Sequence, residues 1–283
     1  MSFIDDIKRR YISGNIVEKL IFINIAVFIL ALLLSVFSGL YNNEGSFITN
    51  WFSLDDNYSS LFTKPWSIIS YGFLHAGFIH ILFNLIALYF IGNLFLEYFT
   101  QKQLLSFYLI GTFFGGVLYL LSQNYFPLFE GRNSYLVGAS AGVSAIFIGI
   151  ATYIPNYQLK IRFIGFVKLW HLAAIWIGLD IIGLIGTNAG GSFAHLGGAL
   201  FGFLYVRKAS NKDIKLFDGI SNFFKKKEKP LKTVYKSKTK QQKTTNTNLN
   251  QQQIDAILDK ISKSGYDTLT PSEKEFLFKQ GKK

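Results

Sequence analysis

Residues 20–40 read LIFINIAVFILALLLSVFSGL, with no charged side chain in the run. At 1.5 Å rise per residue, a helix of this length crosses a hydrocarbon core of about 30 Å. Asp5, Asp6, Lys8, Arg9, Arg10, Glu18 and Lys19 precede it, and no small-x-small cleavage site follows. The run is therefore expected to be a retained span rather than a cleaved leader. Working outward, five further apolar segments follow at about 72–95, 104–121, 139–154, 167–185 and 193–206. Consecutive apolar runs of this kind predict helices, because a lipid core cannot satisfy open backbone groups. The fourth and sixth, about 16 and 14 residues long, fall short of a full span. They are expected to start below the surface or to be covered by neighbours.

Six crossings put both ends on one side. Lys and Arg number four in the N-terminal arm, with Lys102, Lys160, Arg162 and Lys168 in or beside loops on the same side. The opposite loops hold Lys64 and Arg132 against Glu44, Asp55, Asp56 and Glu130. The excess places both termini in the cytoplasm. Trp51, Phe52, Phe62 and Trp66 in the first long loop, 41–71, have the character of an interfacial aromatic belt.

The chain is half hydrophobic and carries a net charge of +12. Residues 1–206 hold ten Lys/Arg and nine Asp/Glu; residues 207–283 hold nineteen and eight. The charge thus belongs to the tail, and nucleic-acid binding loses its motivation. An anionic lipid surface is the expected partner of that tail, each nearby Lys or Arg contributing about 1 kcal/mol. The expected organisation is an N-terminal arm (1–14), a membrane domain (15–207), a basic polar linker (208–253) and a small helical hairpin (254–283). Ile254, Ile257, Leu258 and Ile261 carry the hairpin's first helix, and Thr270-Pro271-Ser272-Glu273 caps its second.

No cysteine occurs, which excludes disulfides, Cys-based zinc sites and thiol nucleophiles. Histidine chemistry is limited to His75, His80, His171 and His195. Gly138-Ala139-Ser140-Ala141-Gly142 opens the fourth segment. A serine in the first turn of a helix has its own unpaired N–H beside it, a ready oxyanion donor. The competing reading is a small-residue packing face. In the sixth segment, Gly198 and Gly202 share a helix face with His195. That face lets a partner helix approach, and the fourth segment around Gly138 and Gly142 is the expected partner. A base within about 2.6–3.2 Å is what a serine needs to become nucleophilic. The alternative for His195 is a buried imidazole bonded to a carbonyl. On the second segment, His80 and Asn84 are four apart and both able to donate to an oxyanion. His75 is expected near the helix entrance, ordering the adjoining loop. A metal site lacks a nearby carboxylate and an HExxH pattern, so no metal and no cofactor is expected.

Three motifs in order, His75-x4-His80-x3-Asn84, Gly138-x-Ser140 and Ala194-His195-x2-Gly198-x3-Gly202, resemble those of the rhomboid family of intramembrane serine proteases. The resemblance implies an all-α, polytopic membrane protein, a six-transmembrane-helix bundle with a cytoplasmic C-terminal tail. It implies a serine endopeptidase that cleaves transmembrane protein substrates through a Ser140–His195 dyad, with an oxyanion site from the Ser140 N–H, Asn84 and His80. His75, Gly138, Gly198 and Gly202 are supporting. The bacterial inner membrane is the expected location.

Three positions depart from common family patterns: Ala141 where glycine is frequent, Ser144 where an aromatic often underlies the catalytic histidine, and Ser67 where arginine often follows Trp66. Ser144 leaves open what holds the His195 ring. Asp180 has two readings: a third catalytic member beside His195, or a residue that caps or hydrogen-bonds a neighbouring helix near the water-facing end of its segment; the resemblance favours the second. His171 is read as interfacial. The rival functions are an inactive rhomboid-like protein that binds membrane clients and a small-solute transporter, the latter disfavoured by uneven helix lengths and the absence of an inverted repeat.

Overall fold

The computed structural model describes residues 3–40, 47–208 and 246–280. The chain divides into two units, Met1–Phe224 and Lys225–Lys283.

The first unit opens with α1 (Phe3–Ser13) and α2 (Ile16–Leu40). The long apolar helix starts earlier than its uncharged stretch because Asn15 caps it. The Asn15 side chain accepts from the N–H groups of Val17 and Glu18, and the Glu18 carboxylate accepts from the Asn15 N–H. Short helices α3 (Phe47–Phe52), α4 (Tyr58–Thr63) and α5 (Ser67–Ser70) form the loop that follows. The remaining helices are α6 (Phe78–Leu96), α7 (Gln101–Tyr125), α8 (Ser140–Tyr153), α9 (Leu169–Gly183) and α10 (Ala189–Lys208).

Among the described residues, α2, α6, α7 and α10 are long and apolar enough to cross a membrane, while α8 and α9 are shorter apolar helices. The sixth apolar segment was expected to be short. Its helix instead begins at Ala189, taking in Gly190, Gly191 and Ser192. These residues have little hydropathy of their own, yet Gly191 and Ser192 are buried and Gly190 lies against the Tyr119 ring.

At 14 residues, α8 is about 21 Å long, less than a hydrocarbon core. It sits in the middle of the bundle, packed by α6, α7, α9 and α10. Every residue from Ala141 to Ala151 is buried, so neighbouring helices rather than lipid cover the middle of α8. By contrast α2 presents Ile29, Leu30, Leu32, Leu33, Val36 and Phe37 outward, the apolar surface a bilayer would cover.

The all-α reading needs one correction. Two small antiparallel pairs occur: β1 (Leu54–Asp55) with β2 (Tyr135–Leu136), and β3 (Gln158–Ile161) with β4 (Gly165–Lys168). The first pair positions the site, because it ties the long first loop to the segment just before Ser140. Without arginine after Trp66, this loop is held by other bonds. Lys64 pairs with Asp55 at 2.7 Å, Trp66 stacks on Trp51 and donates to its carbonyl, and Asp56 accepts from the Ser134 N–H.

In the second unit, helices Asn246–Ser264 and Pro271–Gln280 are joined through a 3-10 turn at Tyr266–Thr268. The first starts eight residues before the expected 254, within the polar stretch assigned to the linker. Ile257 and Leu269 are buried here. The Thr270–Glu273 capping box is present, with Glu273 accepting from the Thr270 N–H at 2.8 Å. That bond, followed by Lys260 at 3.0 Å, holds the Glu273 carboxyl down to about 2. Most of the expected linker, 209–245 with its Lys225-Lys226-Lys227 run, lies outside the described residues.

Candidate active site

Ser140 is the first residue of α8, so its N–H has no partner within the helix. The chain arrives from β2 through Gly138, whose N–H donates to the Tyr71 carbonyl at 3.0 Å. Gly138 adopts φ +138°, a conformation that favours glycine. A Cβ there would lie 3.0 Å from both Cε1 and Nε2 of His80. The glycine therefore serves two needs, the turn into α8 and the approach of the His80 ring to the serine.

The Ser140 hydroxyl lies 2.6 Å from His195 Nε2. The two side chains meet because α8 and α10 pack nearly backbone to backbone. A Cβ on Gly198 would collide with the Ala141 carbonyl, and one on Gly202 with the Ala145 carbonyl. The expected partner helix is thus the observed one, but the residues meeting these glycines are Ala141 and Ala145. Gly142 faces the other way, against the Tyr108 carbonyl and Thr112 of α7. The small residues of α8 serve two neighbours at once, which is how a central helix accommodates close packing on both sides.

On the far side of its ring, His195 Nδ1 lies 2.7 Å from the Asp180 carboxylate. Asp180 sits near the end of α9 and is 7% exposed. Asp180 does not cap α9, which closes through the Leu184 N–H to the Ile181 carbonyl; its bond to His195 of α10 is a contact that both readings of this residue allow. Ser144 is fully buried, and its hydroxyl accepts from Trp176 Nε1 at 3.0 Å. The Trp176 ring approaches His195 at 6.4 Å between centroids. An aromatic from α9 thus occupies the neighbourhood that Ser144 leaves open. Sequence reading missed Trp176. The signal was its position four residues before Asp180, on the same helix face.

His80 lies in the first turn of α6, where its Nδ1 accepts from the Ala76 N–H at 3.4 Å. In the neutral ring the hydrogen is then on Nε2, the nitrogen beside Gly138. Asn84, one turn on, is 7% exposed and donates one amide hydrogen to the His80 carbonyl at 2.9 Å. Its second amide hydrogen remains available to an acceptor. His75 falls in the loop before α6, because Gly77 is the residue at which the helix begins. Its ring meets His80 edge-on at 5.2 Å. Burial and the neighbouring His80 ring lower its pKa to about 4. His171 is exposed in the first turn of α9, against Trp170.

Ser140, His195, His80 and Asn84 all line one cavity of about 940 Å³. Phe83, Ile86 and Phe90 of α6 and Trp176 of α9 give it an apolar flank. Arg132, Asn133, Ser134 and Asn188 give it a polar one. No group of three metal-ligating side chains occurs among the described residues.

Residues 63–212 match the Rhomboid domain family. The chain belongs to the rhomboid family. It is a mostly helical, multi-pass membrane protein of that family, and the rhomboid domain contains all the site residues above. Residues 238–283 match a family of unknown function, DUF6576. Three curated rhomboids illustrate the relationship. RHOMBOID-like protein 12, mitochondrial, of Arabidopsis thaliana is 31% identical over 56% of this chain and 49% of its own length. Presenilin-associated rhomboid-like protein A, mitochondrial, of Danio rerio is 29% identical over 51% and 37%. Rhomboid protease GlpG of Yersinia pseudotuberculosis is 26% identical over 56% and 52%. The chain spans about half or less of these relatives' lengths. Two of the three carry mitochondrial names, so they do not support the expected bacterial inner membrane.

Proposed function

We propose that this rhomboid is an intramembrane serine endopeptidase that cleaves transmembrane segments of other proteins. The observation that carries the reading is the 2.6 Å contact between Ser140 Oγ and His195 Nε2 at the wall of a cavity bounded by apolar helices. The family membership supports the reading, as does the name of one relative, a rhomboid protease.

In the proposed reaction, Ser140 attacks the scissile carbonyl while His195 Nε2 takes its proton and then passes it to the leaving amine. The developing oxyanion lies among the Ser140 N–H, the His80 Nε2–H and the Asn84 amide. Water then hydrolyses the acyl-enzyme, entering from the polar flank of the cavity. The substrate helix must unwind to present a peptide bond, so helix-destabilising residues are expected near its cleavage site. The short helices α8 and α9 complete six crossings in this proposal, with both ends of the rhomboid domain on the Lys/Arg-rich, cytoplasmic side.

The test is the Ser140→Ala variant in proteoliposomes with a model transmembrane substrate. Cleavage and labelling by a fluorophosphonate are both expected to vanish. Retained cleavage would sink the assignment. A native protein that neither cleaves nor labels would instead favour the client-binding reading.

A further inference from the structure

We infer that Asp180 is a positioning residue for His195, so that this rhomboid works with three aligned groups where the resemblance implied two. The inference rests on the proposed protease reading for its consequence in rate, but its geometry stands apart from that reading.

The imidazole is gripped at both nitrogens: Nε2 by Ser140 at 2.6 Å and Nδ1 by Asp180 at 2.7 Å. With the carboxylate as acceptor in this contact, the ring hydrogen sits on Nδ1. That leaves the Nε2 lone pair facing the hydroxyl, the tautomer a general base requires. Capping does not compete for this carboxylate. Neither Asp180 oxygen caps α9, and Oδ2 is buried without a hydrogen-bond partner. Among the described residues the carboxylate's hydrogen bond is to His195. A buried carboxylate is costly to retain in an apolar bundle. Here it gains most when the imidazole becomes positively charged, which happens in the transition state.

A second observation explains why this chain needs such a group. Ser144 places no ring beneath His195. Trp176 comes near, but at 6.4 Å and 41° it does not stack on the imidazole, and its N–H is committed to Ser144. The Asp180 bond is then what fixes rotation of the ring about its Cβ–Cγ bond. Trp176 and Asp180 lie one turn apart on α9, so one helix face supplies both supports.

The experiment uses the full chain in detergent or nanodiscs. With only four histidines, ¹⁵N-histidine spectra resolve the tautomer of each, His195 being assigned by its loss in His195→Ala. His195 is expected to be protonated at Nδ1 in the native protein and to lose that preference in Asp180→Asn. In cleavage assays Asp180→Asn is expected to lower kcat by about 10²-fold or more with KM little changed. Fluorophosphonate labelling of Ser140 should slow in parallel, and Asp180→Glu should recover part of the loss. A native His195 protonated at Nε2 overturns the inference, whether or not any variant folds. So does an Asp180→Asn enzyme whose kcat and labelling rate equal the native values. A native protein that shows the Nδ1 tautomer but never labels or cleaves refutes the protease reading and leaves the positioning intact.

Discussion

Asn84 and His80 illustrate what a single side chain contributes at this site. In the proposed reaction each would offer one hydrogen to the developing negative charge, and each is held by a bond on its other side. Removing one preorganised donor typically costs 10²–10³ in rate. Asn84→Ala is therefore expected to lower kcat by about 10²-fold with the melting temperature nearly unchanged, measured by cleavage kinetics beside thermal unfolding. His75 behaves differently. Its pKa falls from 6.5 to about 4, so as pH drops below 6.5 the unfolded chain takes up the proton before the fold does. Stability is expected to decline from pH 6.5 toward pH 4 on this account. His75→Gln should flatten that decline, read from melting temperatures across the pH range. An equal slope in both proteins would remove His75 as the cause.

At the scale of elements, the site depends on how closely α10 can lie against α8. Gly198 and Gly202 are the means, since any side chain there strikes a carbonyl of α8. Gly198→Val is expected to separate the helices, costing about 1–3 kcal/mol of stability. The Ser140–His195 distance would lengthen with it, so labelling should fail even in protein that remains folded. A fully labelled, fully stable Gly198→Val protein would contradict this packing account. The glycine spacing was legible in the chain, as was the partner helix. The destination of Gly142 was not, because a helix in the centre of a bundle has two close neighbours and sequence spacing alone does not say which face meets which. The start of α6 was misplaced for a related reason. Residues 72–77 are apolar enough to continue the run, yet Tyr71, Gly72 and the residues after them turn so that the Tyr108 hydroxyl can donate to the Gly72 carbonyl.

Taken whole, the molecule separates its charge from its chemistry. The rhomboid domain lies within Met1–Phe224, and Lys225–Lys283 is a separate unit. A chain ending at Phe224 is accordingly expected to cleave a model substrate in detergent at close to the native rate. Lost activity there would assign the tail a part in catalysis. The excess of eleven positive charges over residues 207–283 carries the remaining proposal, attraction to an anionic leaflet. In proteoliposomes the tail should resist proteolysis on anionic lipid at low salt, and lose that protection on neutral lipid or in 1 M salt. Equal protection on all three would dismiss the attraction.

The sequence by itself determined the membrane-embedded helical class, the order of the helices and the residues that could do chemistry. Uncharged runs of span length have few solutions in lipid, and four histidines leave few candidates for a base. Set beside the family resemblance, Ser144 left open what holds the His195 ring. What held it was decided only by tertiary structure. Asp180 and Trp176 lie on α9, separated from His195 by the turn into α10, and whether a carboxylate caps its own helix or reaches its neighbour depends on how the two helices are rotated. That rotation follows from the packing of the whole bundle around α8, where glycine contacts, the buried Ser144 hydroxyl and the Trp176 ring must be accommodated together.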